Sequence, residues 1–151
     1  KLVLGGVEIE FGRGLLGHSD ADVICHAIGD ALLGGAGLGD IGRHYPDTDE
    51  RYRGISSLAL LEDIRKKLKE RNLEIENIDA TVICQKPKLG SVIPRMEIAI
   101  AEALDIIPGS INIKATTSEG LDAAGRGEAI AALAVASLKE VTNVARPTAP
   151  D

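Results

Sequence analysis

Two imidazoles and two carboxylates fall within nine residues, His18-Ser-Asp-Ala-Asp-Val-Ile-Cys-His26. Ser19 followed by Asp22 fits an S-x-x-D capping box, which predicts a helix start at this point. From that start Asp22 and His26 are four residues apart and share one helical face. A capped helix end also offers free backbone N–H groups and a positive dipole end, both suited to phosphate. Metal and phosphate chemistry within one helical turn is therefore the reading this stretch invites. The plainer alternative is a capping aspartate and a histidine tucked under a helix, because short motifs often match by chance.

Three more clusters carry chemistry. Lys86-Pro-Lys88 places two cations in a loop, and its bland alternative is an exposed basic surface. Thr116-Thr117-Ser118-Glu119 offers three hydroxyls for phosphate and a carboxylate of the kind Mg²⁺ prefers, or else forms an ordinary hydroxyl-capped turn. Arg126, in Gly125-Arg-Gly-Glu128, either forks onto phosphate or pairs with a carboxylate. A G-x-S-x-G elbow and a G-x-x-x-x-G-K-[ST] loop are both absent, so acyl transfer and nucleoside-triphosphate loops have little support. Divalent metal plus phosphate is the class that remains.

The elements that must position these groups follow from periodicity. Leu2–Leu4 and Val7–Ile9 read as strands joined by Gly5-Gly6, a two-residue hairpin signal. A helix from about Ala21 to Leu33 has Ile24, Ala27, Ile28, Ala31 and Leu32 on its apolar face. Asp40 to Glu50 is aperiodic and reads as a long loop, either a binding lid or a solvated connector. Ser57 to Asn72 is an amphipathic helix with Leu58, Leu61, Ile64 and Leu68 inward, and Glu62–Lys66 and Lys66–Glu70 as outward pairs. Ile78 to Gln85 is a strand, and Pro94 opens a third helix. Ile111 to Ala115 is a further strand. Glu128 to Val141, apolar almost all round, reads as a last, buried helix. The expected fold is α+β (α/β-like), with order ββααβαβα: a single four-stranded mixed sheet with helices packed on it. Residues 1–144 make one domain, and 145–151, with two prolines, a frayed tail. Both later strands empty into polar loops, and ligands of sheet proteins bind beyond the carboxyl ends of strands.

Composition narrows the partners. The 151 residues suffice for one domain with a real core, 44% of them hydrophobic. Two Tyr, one Phe and no Trp leave no stacking platform for single-stranded nucleic acid. A net charge of −6 opposes a broad nucleic-acid footprint, while local cations can still hold a phosphorylated small molecule. No apolar run approaches a membrane span, and no signal peptide is expected ahead of the opening strand. The two cysteines read as reduced core residues, which points to the cytoplasm, or to an organelle stroma in a plastid-bearing source.

Five stretches together go further than spacing does: Gly14-Leu-Leu-Gly-His-Ser-Asp-Ala-Asp-Val-Ile-Cys-His26, Gly39-Asp-Ile-Gly-Arg-His-Tyr-Pro-Asp-Thr-Asp49, Gln85-Lys-Pro-Lys88, Asn112-Ile-Lys-Ala-Thr-Thr117 and Gly125-Arg-Gly-Glu128. In this order, and over nearly the whole chain, they resemble the 2-C-methyl-D-erythritol 2,4-cyclodiphosphate synthase family of the non-mevalonate isoprenoid pathway. The resemblance implies a homotrimer with active sites between subunits. It implies a lyase that cyclises 4-diphosphocytidyl-2-C-methyl-D-erythritol 2-phosphate and releases CMP, the 2-phosphate attacking the β-phosphate between two divalent metals. It assigns catalytic roles to His18, Asp22 and Thr117. His18 and Ser19 would hold the methylerythritol phosphate end together with Asp40, Gly42 and Pro46-Asp47-Thr48-Asp49. Lys88, Thr116 and Thr117 would contact the cytidine diphosphate across the subunit boundary, and Arg126 would support that pocket. His26 would ligate Zn²⁺ or another divalent transition metal, and Glu119 would hold Mg²⁺ or Mn²⁺ on the diphosphate.

Two departures accompany the resemblance. The family's Asp-x-His near the N-terminus would supply two further zinc ligands, and this chain begins at Lys1, just after that segment would end. A shortened chain is the expectation; true loss would leave a trimeric cytidine-nucleotide-binding protein without catalysis. The phosphate loops alone would also permit a metal-dependent phosphohydrolase. The family's Gly-aromatic pair after the metal-binding glutamate is replaced by Asp122-Ala123, which makes the pocket near Glu119 smaller in apolar surface and more acidic.

Overall fold

The computed structural model describes residues 1–14, 17 and 19–142; Leu15, Leu16, His18 and residues 143–151, the expected tail among them, lie outside the described residues. The chain opens with β1 (Leu2–Leu4) and β2 (Val7–Ile9), paired antiparallel with Leu2 opposite Ile9. Gly5 and Gly6 make the turn at φ +58° and +76°, a left-handed pair that glycine adopts without a Cβ penalty. The hairpin is the one the sequence predicts.

Three longer helices and a second sheet form the body. The helices are α1 (Val23–Gly35), α3 (Ser57–Glu70) and α4 (Ile93–Leu104), and the strands are β3 (Leu73–Ile83), β4 (Ile111–Thr116) and β5 (Ala131–Glu140). The order across this sheet is β4-β3-β5. β3 and β4 are parallel, Ile78 facing Ile111, with α4 as the crossover between them; β5 returns antiparallel to β3. All three helices pack on one face of the sheet, burying Ile24, Ile28, Leu32, Leu61, Ile64, Met96 and Ile100 against Ile78, Ala80 and Val82. This is an α+β architecture with helices on a mixed sheet.

Two expectations are corrected. Among the described residues the strands are five in two sheets, not four in one. The stretch expected as a last helix, Glu128 to Val141, is instead β5. Its Ala132, Ala134, Ala136 and Leu138 turn toward the helices while Leu133 and Val135 face outward, 65% and 73% exposed. With apolar residues on both faces the period-2 signal vanishes, and the alanines mimic a helix. Pairing along β3 over ten positions overrides that propensity.

Smaller differences concern boundaries. α1 starts at Val23, with Asp22 as its N-cap, and β3 starts at Leu73, five residues before the expected Ile78. The 40–50 stretch, expected to be loop throughout, contains the single turn α2 (Ile41–His44) and leads into a 3₁₀ turn, Glu50–Tyr52. On α3 the observed i,i+4 ion pair is Asp63–Lys67, 3.5 Å. Cys25 and Cys84 are buried and free, as core residues should be. Among the described residues no helix is long and apolar enough to cross a membrane.

Candidate active site

The opening stretch is built around α1's first turn. Asp22, not Ser19, caps the helix: the Cys25 N–H donates to its Oδ1 at 3.1 Å. The same carboxylate accepts from the Gly5 N–H (2.9 Å) and the Gly6 N–H (2.7 Å), tying the hairpin turn to the helix. It is fully buried, and desolvation raises its pKa against the pull of those backbone donors. The expectation that Asp22 and His26 share one helical face is therefore corrected, and Asp22 is the capping aspartate of the plainer alternative. Asp22 points at the hairpin, while His26, one turn along, faces a cleft with its Nε2 3.1 Å from Ser19 Oγ.

That cleft, about 320 Å³, is lined by Ser19, His26, Gly42, Pro46 and Asp47 and floored by Ile41, Tyr45, Tyr52, Ile55 and Leu60. Two distant sequence clusters thus meet. Of the other loop residues, Asp40 caps α2 by accepting from the Arg43 N–H at 2.8 Å, Asp49 accepts from the Arg51 backbone N–H (3.0 Å) and guanidinium (2.7 Å), and Thr48 is exposed. The sequence reading missed the tyrosines. Tyr45 donates its hydroxyl to Asp63 Oδ2 at 2.5 Å and meets Tyr52 edge-on at 5.4 Å, which fastens the loop to α3. Burial, then the Asp63 bond, pushes the Tyr45 phenol far above its usual range. The signal was present: both tyrosines of this aromatic-poor chain lie between α2 and α3, Tyr45 in this loop and Tyr52 in the 3₁₀ turn that follows it.

A second cleft, about 550 Å³, opens beyond the carboxyl ends of β3 and β4, between Phe11, Cys84, Gln85, Lys86, Pro87, Lys88, Leu89, Ala115, Thr116 and Thr117. Its size suits a drug- or nucleotide-sized ligand. Lys88, Thr116 and Thr117 converge here as the parallel-strand topology leads one to expect. Beside it the chain turns sharply. Glu119, at φ +54°, donates its N–H to Thr117 Oγ1 (3.2 Å) and leaves its carboxylate exposed. Ser118 Oγ donates to Asp122 Oδ1 at 3.0 Å, and the short α5 (Asp122–Gly125) follows. A β-carbon on Gly125 would collide with the Gly120 backbone, so glycine is required there. Arg126 pairs with Glu128 through two bonds of 3.1 and 3.2 Å, the carboxylate pairing that was one of its two readings.

The metal expectations fare unequally. Among the described residues no three His, Cys, Asp or Glu side chains converge as a metal site. With Asp22 and Asp20 occupied by protein donors, His26 is one imidazole where catalytic zinc takes three protein ligands. These residues do not by themselves fit zinc. Glu119 is different in kind, since Mg²⁺ is commonly held by one or two carboxylates together with substrate phosphates. His18 lies outside the described residues.

The family model that matches, over residues 1–139, is that of the YgbB family. The chain belongs to the YgbB family. It is 59% identical over 143 residues to the 2-C-methyl-D-erythritol 2,4-cyclodiphosphate synthase of Lachnospira eligens, covering 95% of this chain and 78% of that one. The bifunctional IspDF of Campylobacter jejuni superposes with a TM-score of 0.89 at 45% identity, over 93% of this chain and 38% of that one. The IspF of Plasmodium falciparum, solved as a CDP complex, superposes with a TM-score of 0.81 at 34% identity, over 92% of this chain and 83% of that one. YgbB-family membership thus covers both clefts, the α1 corner and the β3–β4 edge alike.

Proposed function

We propose that the chain is a cyclising phosphorus–oxygen lyase, converting 4-diphosphocytidyl-2-C-methyl-D-erythritol 2-phosphate into 2-C-methyl-D-erythritol 2,4-cyclodiphosphate and CMP. An oxygen of the substrate's 2-phosphate attacks the β-phosphorus. The bond from that phosphorus to the bridging oxygen breaks, and CMP leaves with the electron pair. The protein supplies no nucleophile; its work is to fold the substrate back on itself and offset charge. The observation that carries this reading is the convergence of Lys88, Thr116 and Thr117 in the larger cleft of a YgbB-family fold.

The residue roles proposed are those that the family resemblance implies. Lys88 and the hydroxyls of Thr116 and Thr117, which line one cleft, would take the cytidine diphosphate, Thr117 offsetting the charge that builds at the β-phosphate. His18, Ser19, Gly42, Pro46 and Asp47 take the methylerythritol phosphate. Asp40, Thr48 and Asp49 shape that loop, the two aspartates acting as caps. Glu119 would hold Mg²⁺ or Mn²⁺ on the diphosphate, a cation that draws charge off the phosphates when bound. Arg126 supports the phosphate side from its pairing with Glu128. Each working site would join the smaller cleft of one subunit to the larger cleft of the next, in a homotrimer working in the cytoplasm or a stroma. Incubating the full-length protein with the diphosphocytidyl substrate and Mg²⁺ tests this. CMP and the cyclic diphosphate in equal amounts are expected. Inorganic phosphate would mean a phosphohydrolase, and cytidine nucleotide binding without turnover a binding protein; either overturns the proposal.

A further inference from the structure

The first carboxylate of the Asp-Ala-Asp triplet has found no role so far, and its surroundings suggest one. Asp20 Oδ2 accepts from the Ser57 N–H at 3.0 Å, and its Oδ1 accepts from Ser57 Oγ at 2.5 Å and from the Asp22 N–H at 3.2 Å. Its own N–H donates to the Ile55 carbonyl at 3.2 Å. Ser57, first residue of α3, is 1% exposed, and a hydroxyl so buried needs a partner; Asp20 is that partner. A carboxylate there also faces the positive end of α3.

We infer that Asp20 is a positioning residue that clamps the two walls of the smaller cleft in register. Its chain neighbour Ser19 lines the cleft next to His26, and so does Ile55, which accepts from the Asp20 backbone N–H and stands two residues before Ser57, the residue the carboxylate holds. Asp20 itself is not among the residues lining the cleft, so it acts on bound substrate only through these two. Without the carboxylate the 19–22 segment keeps its backbone bond to Ile55 but loses its side-chain tie to α3, and Ser19 shifts relative to His26. Misplacement of about 1 Å in a positioned site costs on the order of 100-fold in rate.

This rests on the lyase reading above, and the test separates the two. Full-length wild type, D20A, D20N, S57A and S56A are assayed for kcat and KM. S56A is the control: Ser56 Oγ accepts from the Leu58 N–H at the same helix end, and Ser56 is not among the residues lining the cleft, so the variant weakens the α3 cap without touching the Asp20–Ser57 bonds. The expected result is kcat lowered about 100-fold in D20A and several-fold in S57A, D20N between them, and S56A within about twofold of wild type. The D20N/S57A double variant falls by less than the product of the singles, since both act on one clamp. Amide exchange of a peptide spanning residues 17–26 is expected to quicken in D20N and S57A but not in S56A. Active wild type with D20N and S57A no slower than S56A overturns the clamp. Inactive wild type overturns the lyase reading instead, and the exchange comparison still decides whether Asp20 holds the loop.

Discussion

At the scale of residues, the lesson of this chain is that two identical side chains two positions apart face opposite ways. Asp22 reaches back to the hairpin, accepting from Gly5 and Gly6, whereas Asp20 reaches forward to Ser57. An Asp22→Asn variant keeps one acceptor but sets an amide N–H against a backbone N–H. A loss of about 1–3 kcal/mol for each orphaned donor is expected, read by urea denaturation. Wild-type stability in this variant would show that the buried carboxylate does not hold the turn. None of this was visible in sequence spacing, because the donors are backbone groups of residues 16, 17 and 37 positions away. What was legible were residues whose partners are close by or whose element is strongly periodic. The Gly5-Gly6 turn, the apolar face of α3 and the hydroxyls after β4 belong to that class.

At the scale of elements, β5 and α5 show where periodicity fails. β5 is sandwiched between an inner face of alanines, small enough for α1 to approach, and an outer apolar face. A Cβ on Gly35 of α1 would lie 3.0 Å from Leu138 Cδ1, a measure of that closeness. Alternation of small and large apolar residues therefore looks the same to a helix as to a strand. α5 is too short to announce itself and is held by one side chain. Asp122, at φ +58°, accepts from the Gly125 N–H (3.1 Å) and from Ser118 Oγ (3.0 Å), and these bonds lower its pKa, the Gly125 N–H most. A lowered folded-state pKa means stabilisation that is present above the ordinary aspartate value of 3.8 and lost as pH falls through the folded value. Asp122→Asn tolerates the left-handed conformation but carries no charge. Its stability deficit against wild type, measured by denaturation from pH 7 to pH 3, is expected to shrink toward the acid end. A deficit constant with pH would show that the charge does not act there.

At the scale of the molecule, the proposed function divides the substrate between the two clefts. One carries Ser19 and His26, the other Lys88, Thr116 and Thr117. The outward Leu133 and Val135 of β5 give the sheet an exposed apolar face, and in the proposed homotrimer closed symmetry would repeat one contact around a ring. If each working site joins the smaller cleft of one subunit to the larger cleft of the next, inactivation should be complementable. His26→Ala and Lys88→Ala, each expected to lower activity at least about tenfold, damage opposite halves of the site. Unfolded together and refolded as a mixture, they would form hybrid rings in which about a quarter of the sites join an intact half to an intact half. Activity of the mixture well above that of either variant alone is the expected outcome. Leu133→Arg, which places a charge on the outer sheet face, should prevent the gain and run as a single chain by sedimentation. A mixture no more active than its parts would place both halves of the site within one chain, and the two clefts would then have to close on each other instead.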